Sequence, residues 1–153
     1  MAEITWRITA FEDLTVHELY TLLALRVSVF VMEQDCPYQE LDGKDQEALH
    51  LLGYDAHGTL VATSRSLPPG LAYPEASLGR VVTAPELRGT GLGKELMQRT
   101  LDLIRTRFGN VPIRIAAQEY LERFYGSFGF DTITASYLWD GIPHVDMIRP
   151  ADP

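Results

Sequence analysis

The sequence predicts a single α/β chain in which a mixed sheet is flanked by helices. Three observations predict it. Short apolar or alternating runs of strand length recur along the chain, at 4–10, 50–55, 59–67, 77–83 and 111–117. Two longer stretches carry apolar residues at helical spacing instead. Turn-forming pairs and triplets separate these runs, among them His57-Gly58, Pro68-Pro69-Gly70 and Asp140-Gly141. No internal repeat, low-complexity tract or long linker divides the chain, so one domain over 1–153 is expected.

The elements follow in order. A strand opens the chain at 4–10. A helix over 16–32 starts at Thr15-Val-His-Glu18, an S/T-x-x-E capping box. Val16, Leu19, Tyr20, Leu23, Val27 and Phe30 supply its apolar stripe. Residues 33–47 are polar, and Pro37 and Gly43 disfavour a long helix, so a loop with one helical turn is expected. Strands at 50–55 and 59–67 form a hairpin turned at His57-Gly58. After a proline-rich loop comes a strand at 77–83. A helix then runs to Phe108, with Met97, Leu101, Ile104 and Phe108 as its buried stripe and Gly109 at its C′ position. A strand at 111–117, a short helix at 119–127 and a strand hairpin over 130–149 complete the order.

Composition excludes several functions. A formal charge of −8 argues against non-specific nucleic-acid binding, which needs a basic face. The same charge suits solubility or the attraction of a cation. A single cysteine, Cys36, cannot form an internal disulfide, and no Cys/His cluster has metal-ligand spacing, so no metal is expected. The first residues lack a signal-peptide pattern, and no apolar run approaches the roughly 20 residues of a membrane span. A cytoplasmic protein without membrane contact is the expectation.

Arg88-Gly89-Thr90-Gly91-Leu92-Gly93 carries the chemistry. It joins a strand to a long helix, where free N–H groups and the helix dipole favour an anion. Glycine lets the backbone approach an oxygen-rich group closely. A diphosphate-sized anion fits, as in CoA or a nucleotide. A Walker A loop would need glycine where Arg88 stands and Ser/Thr where Glu95 stands. The dinucleotide fingerprint would need glycine at Lys94 or Leu96. A plain glycine-rich turn remains the bland alternative.

Arg88-x-x-Gly91-x-Gly93 resembles the R/Q-x-x-G-x-G/A motif of the GNAT (Gcn5-related N-acetyltransferase) superfamily, and it follows a strand ending at Thr83 by five residues. The stretch from Gln118 to Phe130, with Tyr125 and Gly129-Phe130, resembles the family's second motif, N/Q-x(6)-Y-x-x-x-G-F. The stretches Arg26 to Gln34, Cys36 to Gly43 and Asp140 to His144 are similar to the ElaA-like branch. The resemblance implies a GNAT fold, with a mixed, mostly antiparallel central sheet of about six to seven strands. It implies acetyl-CoA as co-substrate and direct acetyl transfer to a primary amine in a ternary complex. The acceptor would be a small cationic amine or a protein amine. Dimers are common in the superfamily, so a homodimer is compatible with it.

The resemblance also implies residue roles. Main-chain groups of Val81, Val82 and Thr83 would bond the pantetheine arm as an added strand would. Arg88, Gly89, Thr90, Gly91, Leu92 and Gly93 would form the pyrophosphate loop. Gln118 stands where an amide contacts the pantetheine, and Tyr125 where the general acid stands. Tyr125 also lies among Phe124, Phe128 and Phe130, a pattern common in cores.

Transfer to an amine needs a proton acceptor, an oxyanion donor and an acid for the thiolate. A free strand N–H near Val81–Val82 suits the oxyanion. Many relatives place an acidic base on the strand before the second motif, but Ile113 occupies that position here. Glu33 is the first candidate base and His50 the second, with His144 third. Each has a structural alternative: a solvated carboxylate for Glu33, and a hydrogen-bonded strand histidine for the other two. Cys36 offers a covalent route, though no motif couples it to a base. Asp35, Glu40, Asp42, Asp45 and Glu47 form an acidic run, which usually means a solvated face. Arg26 and Arg80 would join buried ion pairs or orient a carboxylate. The competing functions are a non-catalytic acyl-CoA-binding module and a nucleotide-binding protein.

Overall fold

The computed structural model describes residues 3–153. Two four-stranded sheets share the layer between helices, joined at a single point. The first sheet runs β1 (Thr5–Ala10), β2 (Leu49–Tyr54), β3 (Leu60–Leu67) and β4 (Ser77–Thr83), each antiparallel to the next. The second centres on β8 (Ile142–Arg149). It pairs with β5 (Ile113–Gln118) on one side, and with the short β6 (Asp131–Thr132) and β7 (Tyr137–Trp139) on the other. The expected mixed, mostly antiparallel arrangement is therefore found, as two sheets rather than one.

The sheets meet where Ala76 bridges Ile113 in parallel, with Arg114 N donating to Ala76 O at 2.9 Å. Beyond that point β4 and β5 diverge, and each is the end strand of its own sheet. The main core lies between these sheets and α2 (Leu92–Phe108), where Leu96, Met97 and Ile104 are fully buried against Leu51, Ala62, Ile115 and Met147. Met97, Leu101 and Ile104 hold the expected stripe. Gly109 ends α2 with φ +90°, a conformation that favours glycine.

The capping box forms as the spacing predicts: Glu18 N donates to Thr15 Oγ1 at 3.0 Å, and Thr15 N to Glu18 Oε1 at 2.9 Å. The helix it opens, α1 (Val16–Val27), continues as one wider π turn over Ser28–Glu33. Its buried face differs from the expected stripe. Leu22, Arg26 and Val29 point inward, while Val16 and Tyr20 are 83% and 77% exposed. The reason is Arg26: a charged residue occupies the centre of the buried face, so apolar periodicity located the wrong side.

The acidic run is a solvated face only at its ends, Asp35 and Glu47, which are exposed. Glu40 and Asp45 are buried. Arg26 makes two forked contacts, to Glu40 at 2.8 and 2.7 Å and to Asp45 at 2.7 and 3.1 Å. Arg65 forks onto Asp42 and also reaches Asp45 at 3.2 Å. Arg80 Nε meets Glu40 Oε2 at 2.6 Å. Arg26, Arg65 and Arg80 thus balance Glu40, Asp42 and Asp45, as buried charges require. Arg26 and Arg80 are ion-paired as the sequence suggested; Arg65 had no signal of its own.

The C-terminal hairpin turns at Asp140-Gly141, both with positive φ. Its outer strand is interrupted between β6 and β7. There Asp146 N donates to the Thr134 hydroxyl instead of a main-chain carbonyl.

Candidate active site

The divergence of β4 and β5 opens a cavity of about 660 Å³. One wall is the edge of β4, from Ser77 to Thr83, and the opposite wall is β5, from Ile115 to Gln118. Strand edges offer N–H and C=O groups in a row, ready to pair with an extended amide-bearing arm. The π turn after α1 and the 137–144 hairpin close the remaining sides, contributing Phe30, Glu33 and Gln34, and Trp139, Asp140 and His144.

β4 is irregular where it faces this cavity. Thr63 pairs with Val82 but Arg65 pairs with Gly79, so Arg80 and Val81 together oppose Ser64. This is a β-bulge, and Arg80 holds φ +49° in it. A non-glycine residue there is costly, and the surrounding structure must fix it. It does so here: Arg80 Nη2 donates to Glu40 O at 2.8 Å, besides its Nε contact to the Glu40 carboxylate. The bulge includes Val81, beside the strand N–H near Val81–Val82 that suits the oxyanion.

The glycine segment joins β4 to α2 through a short turn at Pro85–Leu87. Gly89 and Gly91 have φ of +80° and +89°, and an added Cβ at either would meet nothing within 4 Å. These glycines serve backbone conformation and an open approach rather than packing. Gly91 is the N-cap of α2, and its side-chain-free position leaves the first N–H groups of the helix uncapped. Arg88 faces the cavity and forks onto Glu33 at 2.6 and 2.8 Å.

Gln118 and Tyr125 both line the cavity. Gln118 exchanges amide hydrogen bonds with Gln34, at 3.1 and 3.4 Å. That contact joins β5 to the π turn. Tyr125, on α3 (Glu122–Gly126), packs edge-on to Phe124 and Phe130. Burial pushes its phenol up to about 12, so it stays protonated at neutral pH. It is a core residue and a cavity residue together.

The candidate bases separate. Glu33 lines the cavity but is half exposed, and the hydrogen bonds from Arg88 hold its carboxyl below the usual range. His50 is fully buried on β2 and is absent from the cavity wall. Its Nε2 donates to Asp45 O at 2.9 Å, and burial pushes its pKa down, so it is a neutral structural histidine. That corrects its placement as a reacting group. His144 lies on the cavity wall. Ile113 is buried at the closed end, beside Ala76. Cys36 is buried at the wall, with Sγ 3.3 Å from Asp140 O. Among the described residues, no group of three or more His, Cys, Asp or Glu could hold a metal ion, and no helix is long and apolar enough to cross a membrane.

A family model described as acetyltransferase (GNAT) domain matches residues 18–149. Protein ElaA of Escherichia coli (strain K12) is 40% identical over 148 residues, covering 95% of this chain and 96% of that one. An acyl-CoA N-acyltransferase from Pseudomonas aeruginosa, solved by crystallography, has a TM-score of 0.91 at 42% identity, over 96% of this chain and 99% of that one. The crystal structure of Escherichia coli ElaA gives 0.89 at 40%, over 96% and 99%.

Proposed function

Because the chain belongs to the GNAT acetyltransferase family, we propose that it moves the acetyl group of acetyl-CoA to a primary amine by direct transfer. Family and fold support an acyl-CoA-dependent N-acyltransferase; the acetyl donor, the amine acceptor and the residue roles are our reading. One observation carries it: a strand-edge cleft ends at a helix N-terminus entered through two positive-φ glycines. An acyl-CoA has a matching shape, an amide-bearing arm joined to a pyrophosphate. Bound there, it supplies an activated thioester.

The chain's own residues divide the work. Val81, Val82 and Thr83 present main-chain groups to the arm along the β4 edge. The N–H groups of 89–93 and the start of α2 hold the pyrophosphate. Arg88, forked onto Glu33, adds charge there. The Gln118 amide bonds the arm from the β5 side. The N–H at the bulge, by Val81, stabilises the carbonyl oxygen as it gains charge. Tyr125, kept protonated by burial, gives its proton to the departing sulfur. The net charge of −8 favours a cationic acceptor, whether a small amine or a protein amine.

The test is binding followed by turnover. Calorimetric titration with acetyl-CoA and ATP should show binding of acetyl-CoA alone. CoA release should then rise with at least one member of a panel of primary amines. Tight acetyl-CoA binding without turnover on any amine would favour a non-catalytic binding module. Binding of ATP in place of acetyl-CoA would overturn the reading.

A further inference from the structure

The 137–144 hairpin presents one imidazole to the cavity with its Nδ1 hydrogen fixed. His144 Nδ1 lies 2.7 Å from Ile142 O. A carbonyl oxygen can only accept, so Nδ1 carries the hydrogen and Nε2 of the neutral ring carries the lone pair. The ring packs against two aromatic neighbours. Tyr137 stacks at 6.1 Å between centroids with a 25° interplanar angle, and Trp139 lies at 5.6 Å. Tyr137 is in turn fixed by its hydroxyl on Asp146, which Arg114 pairs at 2.7 Å. Imidazole and amide are register partners across β5 and β8, since His144 stands opposite Gln118.

We propose that His144 Nε2 is the proton acceptor for the attacking amine. The proposal rests on the acetyltransferase reading above. The acceptor reacts as its neutral amine, its ammonium proton already lost to solvent; as the amine lone pair forms the C–N bond and the C–S bond breaks, one remaining N–H proton passes to Nε2. The departing sulfur takes the Tyr125 proton. The imidazolium and the phenolate then exchange protons with solvent, which restores both groups. The other cavity groups are less suited to this step. Glu33 is tied to Arg88, and Asp42 is forked by Arg65. His50 does not reach the cavity.

The charges around the ring are accounted for. On β8, Asp146 is neutralised by Arg114 of β5. On the hairpin turn, Asp140 lines the same wall, and from the π turn Glu33 carries its Arg88 partner. Asp140 is the one carboxylate among these that makes no ion pair with a described residue, so it is the group to control for.

The decisive measurement is kcat/KM against pH for the wild type, His144→Gln, Asp140→Asn and Tyr125→Phe, with acetyl-CoA Kd determined for each. The wild type should show an enzyme acid limb in addition to the limb set by ionisation of the acceptor amine, which every variant shares. His144→Gln should lower kcat/KM by about 10²–10⁴-fold and abolish the enzyme limb, with acetyl-CoA Kd unchanged. Asp140→Asn and Tyr125→Phe should keep the enzyme limb. An enzyme limb, beyond that of the amine, that survives in His144→Gln or disappears in Asp140→Asn overturns the proposal. If the wild type acetylates no amine, the acetyltransferase reading fails separately. The nitrogen chemical shifts of His144 in the acetyl-CoA complex then decide its state. A proton on Nε2 at pH 8 overturns the role, and a lone pair there supports it.

Discussion

Replacing Arg26 with methionine removes the centre of the buried ionic network while keeping an unbranched side chain on the inward face of α1. Arg26 is 1% exposed and makes two forks, onto Glu40 and Asp45. Breaking a buried pair by deleting one partner costs about 3–5 kcal/mol, mostly from the charge left behind. Here neither carboxylate is fully abandoned, since Glu40 keeps Arg80 and Asp45 keeps Arg65. The low end of the range therefore applies, about 3 kcal/mol. At roughly 2–4 °C per kcal/mol for a chain of this size, Tm should fall by about 6–12 °C. Urea denaturation and thermal unfolding by circular dichroism measure both quantities. The pH dependence gives an independent sign. Burial alone would raise Asp42 and Asp45, but the arginine hydrogen bonds and charges outweigh it and hold both below the usual carboxylate range. Their contribution is present above the unfolded value near ~3.9 and is lost as pH falls through the lower folded values. The wild type should therefore lose stability below about pH 4, and Arg26→Met should lose less over that window. A variant within about 1 kcal/mol of the wild type would refute the reasoning, as would an unchanged pH slope.

Three further substitutions test separate parts of the molecule. Tyr125→Phe should lower kcat by about 10²–10⁴-fold in the CoA-release assay, with acetyl-CoA affinity unchanged; an unaltered rate would leave Tyr125 as packing alone. Gly91→Ala meets no steric obstacle but must hold φ +89°, which costs about 1–2 kcal/mol. It should depress Tm by a few degrees and weaken acetyl-CoA binding by calorimetry. An unchanged Kd would separate this glycine from the pyrophosphate. Gly53→Ala would place a Cβ 2.8 Å from Trp6 Cζ3. The Trp6 ring is held by Glu95, at 3.1 Å, and by the Arg99 guanidinium. A loss of about 1–3 kcal/mol in urea is expected, with altered tryptophan emission; a neutral result would mean that the ring moves freely.

The parts of this fold legible in the sequence are those set by local chemistry. The capping box at Thr15 and Glu18, the strand over Ser77–Thr83 and the Asp140-Gly141 turn all depend on residues within a few positions of one another. The glycine segment is legible for the same reason, because positive φ is a property of single residues. Pairing between distant side chains carries no such signal. Arg65 meets Asp42 across 23 positions and Arg26 meets Asp45 across 19, so neither the buried part of the acidic run nor the inward face of α1 is legible from local spacing. His50 failed as a candidate for a related reason. Its residue type suits proton transfer, but which side of β2 faces a cavity is decided by the sheet. The bulge at Arg80 was also hidden, since nothing in Gly79-Arg80-Val81 forces two residues to oppose one.

The single bridge between Ala76 and Ile113 has a consequence for where the unpaired strand edges point. Unpaired strand edges are templates on which other chains can add and aggregate. Here β4 and β5 are both unpaired beyond that bridge, yet they face one another across the cleft instead of facing outward. The hazard is thereby turned inward, toward a space walled by the π turn and the 137–144 hairpin. A guest with amide groups of its own can satisfy those edges, as a missing strand would. Concealment of two strand edges and room for an extended, amide-bearing guest are then two outcomes of the same break in the sheet.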